Sequence, residues 1–513
     1  MGFCVRACPS LRSRLTGALC AWVVLFGSVR ADEPPVPPSP FDAALAGPEV
    51  PPPLPAGEPA AVSQDELLSR LLATEAQLQE LQTERQPPSD LLTAFQDRFS
   101  QVRDPSITTV DQQTYNAGST ATKKQWYDRL SIRGYAQFRY NTTVYEEADS
   151  APAQHVGDRS VGENQHFLIR RARLILSGDV SEHMYVYLQP DFASSVPGSP
   201  DSNQFAQIRD WYGDLYIDRD KVYRFRIGQS KIPYGWENLQ SSSNRVPLDR
   251  SDSLNSAVRN ERDLGLFFYW TPKEAQDLFK EVLDEGLKGS GNYGVLGLGV
   301  HNGQGGSFAE QNDNLHVVAR LAYPFKLASG QIVELGFQSY TGKYTVLSSP
   351  ILPLGVGPAI RPEGTLETGN RAGFDDSRVG TTFVWYPQPF GFQAEWNAGV
   401  SPGLNDAQTA VIDRTLHGGY AMLLYRHQTE CRGTLFPFAR YNCYRGGYKA
   451  ERNAPFSDIN EWELGLEWQF NPQMELVTQY TIADRTNTVA QTSGASYGQF
   501  EGQLLRAQFQ INY

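Results

Sequence analysis

What this 513-residue chain most plainly lacks is a long apolar run. Its mean hydropathy is −0.43, and no stretch reaches the roughly 20 apolar residues that a membrane-spanning helix needs. Spanning helices are therefore excluded. Cysteine is scarce: Cys4, Cys8 and Cys20 sit at the extreme N-terminus, leaving Cys431 and Cys443 in the body of the chain. Those two stand about nine strand residues apart, roughly 30 Å in extended chain, whereas a disulfide needs Cα atoms within about 7 Å. No disulfide is expected, and two lone cysteines are not a metal framework. Basic charge is also short, with 45 Lys and Arg against 57 Asp and Glu and a formal charge of −12, so nucleic acid is a poor partner. Histidines number seven and are scattered, and Gly-x-Ser-x-Gly, His-Glu-x-x-His and phosphate-binding glycine loops are missing. Neither an enzyme nor a bound cofactor is expected.

The N-terminus reads as an export signal. Residues 1–31 hold Arg6, Arg12, Arg14 and Arg30 with no acid, an apolar run from Ala18 to Gly27, and Val29-Arg30-Ala31 at the cleavage position. Leu19 is too bulky for a lipoprotein site at Cys20. Cleavage after Ala31 takes the formal charge from −12 to −16. Residues 32–62 hold eleven prolines and read as an extended tether. Over 63–86, Leu67, Leu71, Thr74, Leu78 and Leu81 recur at the four-three spacing of a coiled-coil seam; a lone amphipathic helix is the alternative, because three heptads are marginal. Pro87 and Pro88 stop this helix, and 87–127 forms a loose connector.

From Leu130 the period changes to two. Ile132, Gly134, Ala136, Phe138 and Tyr140 share one face, and Arg133, Tyr135, Gln137 and Arg139 the other. The same alternation runs through Trp462 to Phe470 and ends the chain, where Leu505, Ala507, Phe509, Ile511 and Tyr513 oppose Arg506, Gln508, Gln510 and Asn512. Connections alternate between short turns, as at Asp218–Lys221 and Asn471-Pro472-Gln473, and long polar loops, as at Lys231–Asn260 and Gly342–Asp376. Sixteen strands result, with a helix over Lys273–Leu287 where a short turn is due. Apolar-out, polar-in strands with both ends on one side make a 16-stranded antiparallel transmembrane β-barrel over 128–513, preceded by the coiled-coil helix. The expected setting is outer-membrane lipid, with the N-terminal segment in the periplasm.

Two stretches carry a family likeness. Phe225-Arg226-Ile227-Gly228-Gln229-Ser230-Lys231-Ile232-Pro233-Tyr234-Gly235-Trp236-Glu237, followed by Asp249-Arg250-Ser251, and Phe167-Leu168-Ile169-Arg170-Arg171-Ala172-Arg173, resemble the phosphate-selective porin O and P family. The resemblance implies trimeric channels for small anions, narrowed by an inward-folded third loop, here Lys231–Asn260. It carries the family's arginine pair onto Arg170 and Arg171, its fourth-strand acid onto Asp210 and a basic strand residue onto Arg226. Tyr135 replaces the family's first-strand arginine, with Arg133 nearby on the same face. The candidate solute-contacting residues are thus Arg133, Arg170, Arg171, Arg173, Asp210, Arg226 and Lys231. Guanidinium suits the task, offering paired donors to an oxyanion and a charge that does not titrate.

Adjacent residues in a regular strand point to opposite faces, so Arg170 and Arg171 require a bulge or one arginine near an interface. Arg171 and Arg173 share a face and are the better lumen candidates. Arginines paired to acids are also ordinary barrel furniture. The alternatives are a general or sugar-type porin, with Tyr185, Tyr187, Tyr212 and Tyr216 as its aromatics, and a link to the cell wall through the N-terminal segment.

Overall fold

The computed structural model describes residues 126–513 except 149, 152, 154, 156–159, 162–165, 195–204, 356 and 489–496. The signal peptide, tether, coiled coil and nearly all of the connector lie outside the described residues.

Sixteen antiparallel strands close on themselves. They are β1 (Leu130–Glu146), β2 (Phe167–Ser181), β3 (Met184–Ser194), β4 (Phe205–Tyr216), β5 (Tyr223–Lys231), β6 (Arg262–Trp270), β7 (Leu296–His301) and β8 (His316–Lys326). There follow β9 (Ile332–Tyr344), β10 (Phe374–Trp385), β11 (Phe390–Leu404), β12 (Val411–Tyr425, resuming as His427–Gln428 across Arg426), β13 (Thr434–Gly447), β14 (Phe456–Asn471), β15 (Met474–Thr488) and β16 (Tyr497–Asn512). Each strand pairs with its sequence neighbours, and β1 pairs with β16 to remove the free edges. Closure needs Gly134: its amide donates to the Tyr513 carbonyl at 2.6 Å, and a Cβ there would stand 2.3 Å from the Arg173 carbonyl oxygen and 2.5 Å from the Tyr513 ring.

Alternation sorts the side chains as the sequence pattern requires. Ile132, Phe138, Trp462, Leu464 and Leu466 are exposed on the outer face, while Gln137, Arg139, Glu463, Arg506, Gln508 and Gln510 are buried on the inner one. An outer face so apolar is stable only against lipid, and an inner face so polar must be satisfied from within. Strands run further into several connections than the loop-forming residues suggest. The Ser401–Thr415 loop shrinks to 405–410, because β11 and β12 pair up to Leu404 and Val411. The extended ladder is covered by neighbouring loops: Ser401, Leu404 and Val411 are buried, and Leu404 and Val411 cluster with Tyr344, Val346, Ile351 and Ala454.

The short turns fall on one side of the barrel, and there the β6–β7 connection alone carries a helix of this length among the described residues, α3 (Lys273–Asp284). Two one-turn helices, α1 (Trp236–Leu239) and α2 (Asp252–Asn255), lie in the third long loop, between β5 and β6.

Candidate functional site

The third loop, residues 232–261, lies inside the barrel and is held from nearly all sides. Gly235, at φ 79, turns the chain into α1 and brings no capping side chain. Glu395 of β11 supplies the acceptor, taking the amides of Trp236 at 2.7 Å and Glu237 at 2.8 Å. At the other end of α1, the Lys231 ammonium donates to the carbonyls of Leu239 at 3.0 Å and Gln240 at 2.8 Å. Both ends of the short helix are thus satisfied by barrel strands.

Arginines from around the wall converge on the rest of the loop. Arg139 of β1 donates to the Leu248 carbonyl at 2.9 Å and to Asp249 at 2.8 Å; Arg506 of β16 reaches Asp249 at 2.6 Å. Arg378 of β10 donates to the carbonyls of Ser253 and Ser256 at 2.9 and 3.0 Å. Arg440 of β13 bonds Glu237 at 2.7 Å, and Arg485 of β15 bonds Asp252 at 2.9 Å. Charge-assisted bonds of this length are the stronger class, and here they replace the water that loop and wall would otherwise bind.

Two bulges aim further charge inward. The β1–β2 register passes from Gln137 opposite Arg171 to Phe138 opposite Ile169, leaving Arg170 as the extra residue. Arg170 therefore approaches Asp249 at 3.8 Å while Arg171 also faces in, donating to Gln137 at 2.7 Å. The same device recurs between β3 and β4, where Arg209 is extra beside Asp210 and comes within 3.3 Å of Glu261.

The family description "phosphate-selective porin O and P" matches residues 147–513. The chain belongs to that family. It is an outer-membrane porin, a channel rather than a kind of protein that performs catalysis. No curated protein matches it. Solved structures similar to it include the outer membrane channel DcaP of Acinetobacter baumannii, 12% identical, with a TM-score of 0.42 over 75% of this chain and 97% of that one. The trimer form of OmpT from Vibrio cholerae is 11% identical, with a TM-score of 0.42 over 75% and 100%. Salmonella typhi OmpF in complex with daunomycin is 12% identical, with a TM-score of 0.44 over 75% and 97%.

In this porin the sequence-derived candidates fall into separate groups. Arg170 and Arg173 reach the 242–249 part of the third loop directly, and Arg171 through Gln137, which donates to the Ser242 carbonyl at 3.0 Å; Arg173 bonds Asp191 at 2.7 Å, the Tyr135 hydroxyl at 2.7 Å and Ser242 at 3.0 Å. Asp210 accepts from Arg262 at 2.9 Å, and Lys231 lies within electrostatic reach of both. Arg226 and Arg133 lie in a different band. Arg226 makes a two-pronged pair with Asp214 at 2.7 and 2.9 Å and covers the Tyr212 ring at 3.7 Å, while Arg133 is exposed, bonds Ser177 at 3.1 Å and lies 6.0 Å from the Tyr187 ring.

Sequence reasoning missed Arg209, Arg245, Arg262 and Arg506. Arg506 alternates with the closing strand and Arg209 stands beside Asp210 as Arg170 stands beside Arg171, so both carried a readable signal. Arg245, inside an irregular loop, carried none. It is buried, its Nε and Nη2 have no hydrogen-bond acceptor among the described residues, and its charge acts on Lys231 and Arg250.

Proposed function

We propose that this porin passes small hydrophilic solutes by passive diffusion with a bias to anions such as phosphate, and that it does so as a homotrimer. The observation that carries the bias is Arg245. A buried guanidinium with two donor nitrogens lacking acceptors among the described residues, near enough to Lys231 and Arg250 for its charge to act on both, is costly unless an anion visits it. Arg171 supports the same reading, since its Nε is likewise without an acceptor among the described residues and its neighbours Arg170 and Arg173 are both cations. Arg226, Arg173, Asp210 and Lys231 serve this reading as the rigid frame that holds the free donors in place.

Formal charge alone argues the other way, at −12 for the full chain, but fixed charges at the narrowest point outweigh net charge in choosing an ion. A sugar-type channel is less well supported. Tyr187 and Tyr212 do stack at 5.1 Å, yet Arg226 covers the face of Tyr212 at 3.7 Å. On this proposal the N-terminal segment stands in the periplasm, where its coiled coil favours trimers and its tether reaches toward the cell wall. Titrating phosphate against chloride current through the full chain in a planar bilayer tests the bias: progressive block is expected, and current indifferent to phosphate at saturating concentration counts against it.

A further inference from the structure

The β6–β7 connection does something a turn does not. The neighbouring turns on its side of the barrel are brief: β2 ends at Ser181 and β3 begins at Met184, β14 ends at Asn471 and β15 begins at Met474. This one spends a three-turn helix and then sends a tail into the barrel. The helix buries Ala275, Phe279 and Val282, spaced four and three, so one stripe faces the protein. Ala275 and Phe279 pack with Val295, Trp270 and Tyr323 at the barrel rim. Val282 and Leu287 pack with Ile332, Val384, Tyr386 and, from the third loop, Trp236. An element from the turn side thus meets the loop from the opposite side within one apolar cluster.

Past the helix, the chain bends through left-handed residues, Gly286 and Lys288, both at φ 67. Glycine suits that conformation and lysine does not. Lys288 must therefore be held by its contacts, and these run in two directions. Its buried ammonium pairs with Glu467 of β14 and lies 4.8 Å from the Phe436 ring. Its carbonyl accepts from Gln240 of the third loop at 2.6 Å, and the next carbonyl, of Gly289, accepts from Asn244 at 2.9 Å. Glu334 of β9 completes the junction, accepting from Trp236 at 3.2 Å and from Arg320 at 3.0 Å, while Arg320 also donates to the Gly294 carbonyl of the connection at 2.9 Å.

We propose that the 271–295 connection is a strut that fixes the third loop from the turn side and so sets the width of the pore, with Lys288 as its positioning residue. This rests on the chain being a channel and is independent of which ion the channel prefers. With the pair to Glu467 intact, loop, strut and wall form one unit. With it broken, the loop keeps its wall arginines but loses its lower support, and the passage beside it widens and fluctuates.

The test uses the full chain in planar bilayers, with gel migration of unheated and heated samples as the control for a folded barrel. Lys288→Met and Glu467→Gln are each expected to raise single-channel conductance severalfold and to add open-state noise. The exchange Lys288→Glu with Glu467→Lys is expected to return both to the native level, which a role confined to stability would not require. Folded single variants with native conductance, even if they melt earlier, overturn the proposal. So does an exchange variant that folds yet stays wide.

Discussion

Glu395 accepts the Trp236 amide at 2.7 Å, so a carboxylate on the barrel wall caps the first turn of a helix in the loop that crosses the lumen. The same carboxylate takes the Glu237 amide at 2.8 Å and the Thr382 hydroxyl at 3.0 Å. Loop position is thereby written into a strand residue far away in sequence. Glu395→Ala leaves two buried amides without acceptors, at about 1 to 3 kcal/mol each. The variant is expected to melt earlier and to show a noisier open channel, read by thermal gel shift and single-channel recording.

Arg171 and Arg226 look alike in sequence and behave differently in the barrel. Arg226 is committed to Asp214 by two hydrogen bonds, whereas Arg171 bonds Gln137 and retains a donor. Arg226→Ala removes both hydrogen bonds to the buried Asp214 carboxylate, leaving it Arg224 at 3.5 Å, and is expected to cost about 2 kcal/mol of stability with little change in ion preference. Arg171→Ala is expected to do the reverse, shifting the zero-current potential toward cations with a small change in melting. The two measurements on the two variants form a crossed design, and the opposite pattern would reverse the roles assigned here.

Gly134 is the point at which the barrel closes. A methyl group there would stand 2.3 Å from the Arg173 carbonyl oxygen and against the Tyr513 ring, so Gly134→Ala forces the closing strands apart. Overpacking of this kind costs about 1 to 3 kcal/mol. The expected outcome is slower and less complete assembly of folded barrel in detergent, followed by gel migration.

Asp218, in the turn between β4 and β5, accepts the amides of Val222 at 2.9 Å and Tyr223 at 2.8 Å, and these bonds hold its carboxyl below the usual carboxylate range. A depressed acid stabilises the folded state above the unfolded pKa, about 4, and loses that contribution as pH falls through the folded value. Native protein is therefore expected to melt above Asp218→Asn at neutral pH, with the gap closing in acid. A gap that persists unchanged at low pH would assign the difference to something other than this titration.

The wall of the barrel was legible because its period is local. Alternation from Ile132 to Tyr140 and from Leu505 to Tyr513 fixes which side chains meet lipid, and the Arg170-Arg171 pair requires either a bulge or an arginine near an interface, of which the strand register shows the bulge. The interior was not legible, because it is built from contacts between distant residues. Arg440 reaches Glu237 across 203 positions, and Trp236 reaches Glu395 across 159. Neither pairing has a sequence period. The helix at Lys273 could be read from its spacing, whereas the role of Lys288 could not, since it depends on a left-handed residue meeting a loop from the other side. Most of the arginines that the sequence singles out for solute contact are engaged with acids or carbonyls, whereas Arg245, with two donors lacking acceptors among the described residues, sits where no pattern points.

On the function proposed above, arginine donors left without acceptors among the described residues beside the third loop give this channel its preference. The zero-current potential of the full chain across a planar bilayer under a salt gradient, compared with Arg245→Gln, tests it most directly. The account predicts an anion-selective potential in the native channel that moves markedly toward zero in the variant. A native potential of cationic sign, or an anionic one that Arg245→Gln leaves untouched, would contradict it.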